Sequence, residues 1–251
     1  MEKSLKDIKI LITRSQNQSL EFYEKLIDLG SEVINIPFIE ITPIINNDIL
    51  LEYKNIDLYN WIIFTSTNSV EIFFKVFEDY NISKERVKNI KFAVVGKKTD
   101  NKLNEYGFHS SIIPKDFTAD FLLKEFIRHK INNQKILIPT SKIAKKDLYN
   151  GLLELGNNVI FLPIYENIKP DINYNDFDLS NIDYVTFTSP STVENFYSAF
   201  KKIDANIVCI GTVTAEKIQS LFNIKPLVPK EFTIDGMIEE IIINEKRRDI
   251  V

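Results

Sequence analysis

The chain has 251 residues, 44% of them hydrophobic and 26% charged, with a formal net charge of −4. A length of that order holds one large domain or two ordinary ones, and the negative balance gives no global attraction to nucleic acid or to an acidic membrane. No apolar run approaches the ~18–20 residues of a membrane span, the opening MEKSLKDIKILITRS lacks the apolar core of a signal peptide, and the single cysteine, Cys209, excludes an internal disulfide and fits a reducing compartment, so a cytoplasmic protein is expected.

In chain order, short β-branched apolar runs predict strands at KILIT (9–13), EVINIPF (32–38), WIIFT (61–65), KFAVVG (91–96) and SSIIP (110–114). A second set follows at KILIP (135–139), NVIFLP (158–163), YVTFT (184–188), IVCIG (207–211) and KPLVP (225–229). Runs that are apolar on both faces suit a buried parallel sheet. Helical patterns lie between them. Leu20, Tyr23, Leu26 and Ile27 predict one apolar face, stopped by Leu29-Gly30, and Leu148, Leu152, Leu155 and Gly156 repeat it. The βαβ alternation argues for an α/β protein with helices on both faces of its sheet.

The two sets are copies. KILITRS at 9–15 matches KILIPTS at 135–141, and YEKLIDLGSEVINIPFIE at 23–40 matches YNGLLELGNNVIFLPIYE at 149–166. FTSTNSV at 64–70 matches FTSPSTV at 187–193, VVGKKTDNKL at 94–103 matches CIGTVTAEKI at 209–218, and IPKDFT at 113–118 matches VPKEFT at 228–233. A period of about 125 residues is too long for a solenoid, whose repeats run ~20–50 residues; it marks a duplicated, domain-sized unit. The expected fold is two similar parallel-sheet, flavodoxin-like α/β domains joined by a two-stranded linker. The proline-bearing extended stretches at 37–43 and 163–170 are the linker candidates. One domain then spans 42–163, and the other is discontinuous, 1–37 plus 168–251.

The hydroxyl-rich turns are the candidate binding elements. Asn68 with Glu71, and Ser191 with Glu194, have capping-box spacing. Ser66 and Ser189 lie two residues earlier, where such a cap does not need them, at the carboxyl end of a strand, where open α/β sheets bind ligands. Local turn hydrogen bonding is the competing reading for both. Gly96 to Thr99 and Gly211 to Thr214 each run strand, glycine, threonine, helix, with glycine allowing a ligand close to the backbone. Phe117-Thr118 and Phe232-Thr233 each open a further helix, whose unpaired N–H groups suit anions. Two lobes facing one another would line a cleft with hydroxyls and amides, suited to a ligand with several carboxylates. There is no P-loop, G-x-G-x-x-G or G-x-S-x-G. His109 and His129 stand on different segments, so no metal site is expected, and Cys209 inside IVCIG reads as a buried structural thiol.

Taken in order, LITR, the LG–strand–P element, FTSTNSV, VVGKKT, PIYEN, FTSPSTV, IGTVTA and the threonine-opened last helix resemble the uroporphyrinogen-III synthase family over nearly the whole chain. The resemblance implies two α/β lobes on a two-stranded linker, with the first βαβ belonging to the lobe of the C-terminal half. It implies a lyase of heme biosynthesis that takes hydroxymethylbilane, expels its hydroxyl as water, and closes the macrocycle with ring D inverted through a spiro-pyrrolenine. No cofactor is implied, and hydroxymethylbilane synthase is the implied upstream partner. Tyr165 matches the family's linker tyrosine, which helps the hydroxyl leave; packing on the linker is its competing reading. Its counterpart in the first half is Ile39. Ser66, Thr99, Ser189 and Thr214 match positions that line the family's cleft. Thr118 and Thr233 match the threonine at the last helix start and read first as caps. Arg14 matches a TRP motif, here TRS, and Lys146 stands where many members carry arginine, losing bidentate geometry. IGTVTA departs from the family's IGPTTA at Thr212 and Val213. The alternative function is a non-catalytic, two-lobed module binding a small anion, as a sensor; a monomer is expected either way.

Overall fold

The computed structural model describes residues 4–248. The chain divides into two compact units at Ile41/Thr42 and Asn167/Ile168: the outer segments form unit 1 and the central segment forms unit 2. Each is a doubly wound α/β unit.

Unit 1 holds a parallel sheet of β1 (Lys9–Ile12), β2 (Glu32–Asn35), β9 (Tyr184–Phe187) and β10 (Asn206–Cys209), in the order β10-β9-β1-β2. Alternation along the strands feeds two cores. Leu11, Val185, Phe187, Ile207 and Cys209 pack with Phe196 of α7 (Pro190–Ala199) and Ile218 of α8 (Thr212–Phe222). Ile10, Ile12, Tyr184 and Val208 pack with Phe22 and Leu26 of α1 (Gln16–Asp28) and Met237 and Ile241 of α9 (Ile234–Arg248). Helix α9 runs to Arg248, and 249–251 lie outside the described residues.

Two expectations change here. Of the apolar face assigned to α1, Leu26 is buried as expected, while the other positions are displaced by one residue, about 100° around the helix. Ser19, Phe22 and Leu26 are buried, whereas Leu20 is 59% exposed and Tyr23 and Ile27 are exposed as well. The fifth strand, expected at 225–229, is a single bridge, Val208 to Leu227. The Leu227 N–H donates to the Ile207 carbonyl at 2.8 Å and the Cys209 N–H donates to the Leu227 carbonyl at 2.9 Å. Pro226 and Pro229 have no N–H to extend the ladder.

Unit 2 carries a six-stranded sheet in the order β3-β8-β7-β4-β5-β6. The strands are β3 (Glu40–Pro43), β4 (Trp61–Phe64), β5 (Lys91–Val94), β6 (Ser110–Ile112), β7 (Lys135–Ser141) and β8 (Asn158–Ile168). The β4–β8 portion is parallel throughout. Strand β8 runs eleven residues and takes in most of the stretch read as linker. One face packs Ile63, Ala93, Ile136 and Ile138 on Leu122 and Phe126 of α5 (Ala119–Arg128) and Leu148 and Leu152 of α6 (Asp147–Glu154). On α3 (Thr67–Asp79), Phe73, Phe74 and Phe77 are buried, and their rings meet Phe64 of β4 and Tyr53 of α2 (Asn47–Lys54). Helix α2 has no counterpart in the second half, where a three-residue turn at Tyr174–Asp176 stands in its place. The stretch from the linker to the hydroxyl-rich turn is accordingly three residues shorter in the second half, 166 to 187 against 40 to 64.

Each sheet therefore combines strands from both copies. Strands β1 and β2 of the first half lie with β9 and β10 of the second, while β7 and β8 of the second lie with β4, β5 and β6 of the first. Gly30 and Gly156 stop α1 and α6 with φ of +93° and +80°, left-handed geometry that favours glycine. Among the described residues, no helix is long and apolar enough to cross a membrane.

Candidate functional site

In unit 2 the carboxyl ends of β7 and β4 mark the point where strand order reverses, the place where open α/β sheets bind ligands. Strand β4 turns there into α3. Ser66 is the N-cap, with extended backbone, and its Oγ accepts from the Ser69 N–H at 3.2 Å. Its counterpart Ser189 caps α7, its Oγ accepting from the Thr192 N–H at 3.3 Å, with Pro190 at the first helical position. This corrects the sequence reading: Ser66 and Ser189 are the caps, not Asn68 and Ser191. An N-cap needs extended backbone, and the chain is still extended at Ser66 and Ser189, two residues before the expected positions.

Each capping hydroxyl has further partners. Ser66 Oγ lies 2.7 Å from Ser69 Oγ and 3.1 Å from the Tyr165 hydroxyl. Ser189 Oγ lies 2.7 Å from Thr192 Oγ1 and 3.1 Å from Ser191 Oγ. Tyr165 is on β8, 6% exposed. A β-bulge places it: Thr140 pairs with Pro163, but Ser141 pairs with Tyr165, so Ile164 and Tyr165 together oppose one residue of β7. Bulges re-aim side chains in this way, and both Ile164 and Tyr165 turn inward. The Lys142 N–H donates to the Tyr165 carbonyl at 2.8 Å, and Lys142 pairs with Glu166 at 2.7 Å.

The glycines that open two helices lie beside aromatic rings. Gly96 and Gly211 cap α4 (Lys97–Glu105) and α8 in extended conformations open to any residue. A Cβ at Gly96 would stand 3.4 Å from Phe117 Cβ, and one at Gly211 would stand 3.4 Å from Phe232 Cγ. The space above each glycine is thus held by an aromatic ring, and both rings are exposed. Thr99 and Thr214, third in their helices, are buried at 6% and 3% exposure, so those helix starts present mainly backbone amides. Thr118 caps α5, accepting from the Phe121 N–H at 3.3 Å, and Thr233 caps α9, accepting from the Gly236 N–H at 3.0 Å.

The two candidate cations are less engaged. Arg14, half-buried after β1, donates from Nε to Gln18 Oε1 at 2.8 Å, and burial lowers its pKa against the opposing pull of Glu21. It makes no ion pair among the described residues. Lys146, exposed before α6, holds its ammonium 5.4 Å from the Phe161 ring centroid. Unit 2 thus brings together Ser66, Ser69 and Tyr165. Ser69 was missed; its serine-to-serine spacing of three within FTSTNSV was the available signal. Cys209 is buried, and that burial pushes its thiol up to about 12, which fits a structural thiol. A groove at the opposite, amino edge of the sheet is lined by Trp61, Lys91, His129 and Gln134 and shares no residue with the hydroxyl cluster.

The family model described as Uroporphyrinogen-III synthase HemD matches residues 21–239. The porphyrin biosynthesis protein HemD of Ruminiclostridium josui is 35% identical over 252 residues, covering 96% of this chain; the chain spans about half the length of that protein (49%). A relative from Methanocaldococcus jannaschii is 35% identical over 247 residues, covering 93% of this chain and 98% of that protein. The solved uroporphyrinogen-III synthetase of Helicobacter pylori shares the fold, with a TM-score of 0.68 at 19% identity, covering 94% of this chain and 99% of that one.

Proposed function

Since the chain belongs to the uroporphyrinogen-III synthase family, we propose that it is a lyase that converts hydroxymethylbilane to uroporphyrinogen III, with loss of water and inversion of ring D. The observation that carries the chemical reading is the Tyr165 hydroxyl 3.1 Å from Ser66 Oγ, at the strand-order reversal of unit 2. The phenol proton passes to the leaving hydroxyl, directly or through one water; the C–O bond breaks and water departs. The proton released on ring closure returns to the phenolate, so the net change is loss of one water and no cofactor is consumed. Ser66 holds the Tyr165 phenol through its own hydroxyl, and Ser189 offers a hydroxyl to the substrate. The helix starts at Gly96, Gly211, Thr118 and Thr233, with Thr99 and Thr214 inside two of them, offer N–H groups and positive dipole ends to the substrate's carboxylates. Arg14 and Lys146 supply charge. The protein acts as a monomer in the cytoplasm, on substrate released by hydroxymethylbilane synthase.

Left alone, hydroxymethylbilane closes without inversion to isomer I, so the product itself reports the activity. Hydroxymethylbilane is generated, the protein added, and the oxidised products separated as isomers I and III. Predominant isomer III supports the synthase. Isomer I alone, at the uncatalysed rate and with folded protein, overturns it in favour of a binding module.

A further inference from the structure

We propose that Ser69 is a positioning residue that sets the direction of the hydroxyl chain Ser69–Ser66–Tyr165, so that the Tyr165 oxygen accepts a hydrogen bond and its proton stays available for transfer. The catalytic part of this inference rests on the function proposed above; the direction of the hydrogen bonds does not.

Donor and acceptor supply fixes the direction of the hydrogen bonds. Ser69 is fully buried. Among the described residues, its hydroxyl has one hydrogen-bond neighbour, Ser66 Oγ at 2.7 Å. A buried O–H left without an acceptor costs its full desolvation penalty, so Ser69 donates to Ser66. Ser66 Oγ already accepts from the Ser69 N–H. A serine hydroxyl has two lone pairs and one proton, so both acceptor positions are now filled. Its own proton is left, and the remaining neighbour is the Tyr165 oxygen at 3.1 Å. Ser66 therefore donates to Tyr165. The reverse direction would spend the phenol proton on Ser66 and leave the Ser69 proton unpartnered.

The arrangement is one-sided. Ser189 and Thr192 repeat the pair in unit 1 at the same 2.7 Å, but the residue equivalent to Tyr165 is Ile39. There the hydroxyl pair braces a cap and meets no phenol. Thr192 also shows that threonine fits the position of Ser69, since both are the third residue of a helix capped by serine.

Ser69→Ala and Ser69→Thr, each made with and without Tyr165→Phe, test the proposal. Removing the Ser69 donor frees Ser66 to reverse, and kcat for isomer III is expected to fall roughly fivefold, the worth of one net hydrogen bond, with KM unchanged. Ser69→Thr restores kcat, and in the Tyr165→Phe background Ser69→Ala has no further effect on kcat. An unchanged kcat, a loss confined to KM, or an equal loss without the phenol overturns the proposal. A readout independent of turnover is the tyrosine Raman doublet of Tyr165, taken as the difference between wild type and Tyr165→Phe. It is expected to report an acceptor oxygen that shifts toward donor in Ser69→Ala. A donor phenol in the wild type overturns the proposal whatever the product assay gives, whereas an acceptor phenol beside isomer I alone sinks the synthase reading and keeps the hydrogen-bond direction.

Discussion

The Tyr165 hydroxyl and Ser66 Oγ stand 3.1 Å apart although 99 residues separate them in the chain. The contact is made by a bulge in β8 and a cap on α3, two features with separate structural reasons that meet at one edge of one sheet. A cap oxygen bonded to a phenol can be tested both for stability and for chemistry.

Tyr165→Phe removes the proposed acid and leaves the ring in place. Loss of a general acid costs ~10²–10⁴-fold in favourable cases; a substrate that closes by itself places this case at the low end. We expect kcat for isomer III to fall about tenfold to a hundredfold, with KM nearly unchanged and the share of isomer I raised. Kinetics with isomer separation checks it; wild-type kcat would remove Tyr165 from the mechanism.

Ser66→Ala and Ser189→Ala should cost about the same stability, ~1 kcal/mol for loss of an N-cap. Only Ser66→Ala should also lower kcat well beyond that of Ser189→Ala, because only Ser66 touches a phenol. Urea unfolding and the product assay on the two variants separate the effects.

The buried face of α1 is Ser19, Phe22 and Leu26. Phe22→Ala should destabilise by ~3–5 kcal/mol, and Leu20→Ala, at 59% exposure, by under ~0.5 kcal/mol. Chemical denaturation decides; a larger loss at Leu20 would reinstate the face expected from the sequence pattern.

Burial raises the Cys209 thiol from 9.0 to about 12. Its contribution to stability is whole below pH ~9, where folded and unfolded chains both hold the proton. Between those values the unfolded thiol ionises while the folded one stays neutral, so stability declines by up to ~1.4 kcal/mol per pH unit from this group. Iodoacetamide at pH 9 should modify the native protein far more slowly than the protein in urea; equal rates would contradict the burial.

Local pattern carried much of the fold. The runs at 9–13, 61–65, 91–96 and 184–188 became strands because their side chains are apolar on both faces, and Gly30 and Gly156 ended helices because each adopts positive φ. Pattern failed where a neighbour outside the segment decides. Leu20, Tyr23, Leu26 and Ile27 read as one apolar face, yet of these Leu26 alone is fully buried, alongside Ser19 and Phe22 one residue away from the others. The KPLVP run looks like a strand until its two prolines must supply ladder donors. In the site, hydroxyl-rich turns were visible as types, but the capping oxygen was misplaced by two residues, and Ser69 became visible only through its buried contact with Ser66.

By itself the sequence determined the duplication, the α/β alternation, the hydroxyl turns at helix starts and the loss of symmetry between Tyr165 and Ile39. The discontinuous domain was expected from the two proline-bearing stretches; only the tertiary structure decided which strands are hydrogen-bonded neighbours within each sheet. KILI at 9 and KILI at 135 are equally apolar and equally suited to sit beside either WIIF or YVTF, so local pattern is degenerate between the two pairings. The choice rests on backbone hydrogen bonds between segments far apart in the chain: β1 with β9, and β7 with β4. The bulge that turns Tyr165 toward Ser66 has the same origin, because a bulge is defined by its partner strand and not by the residues that form it.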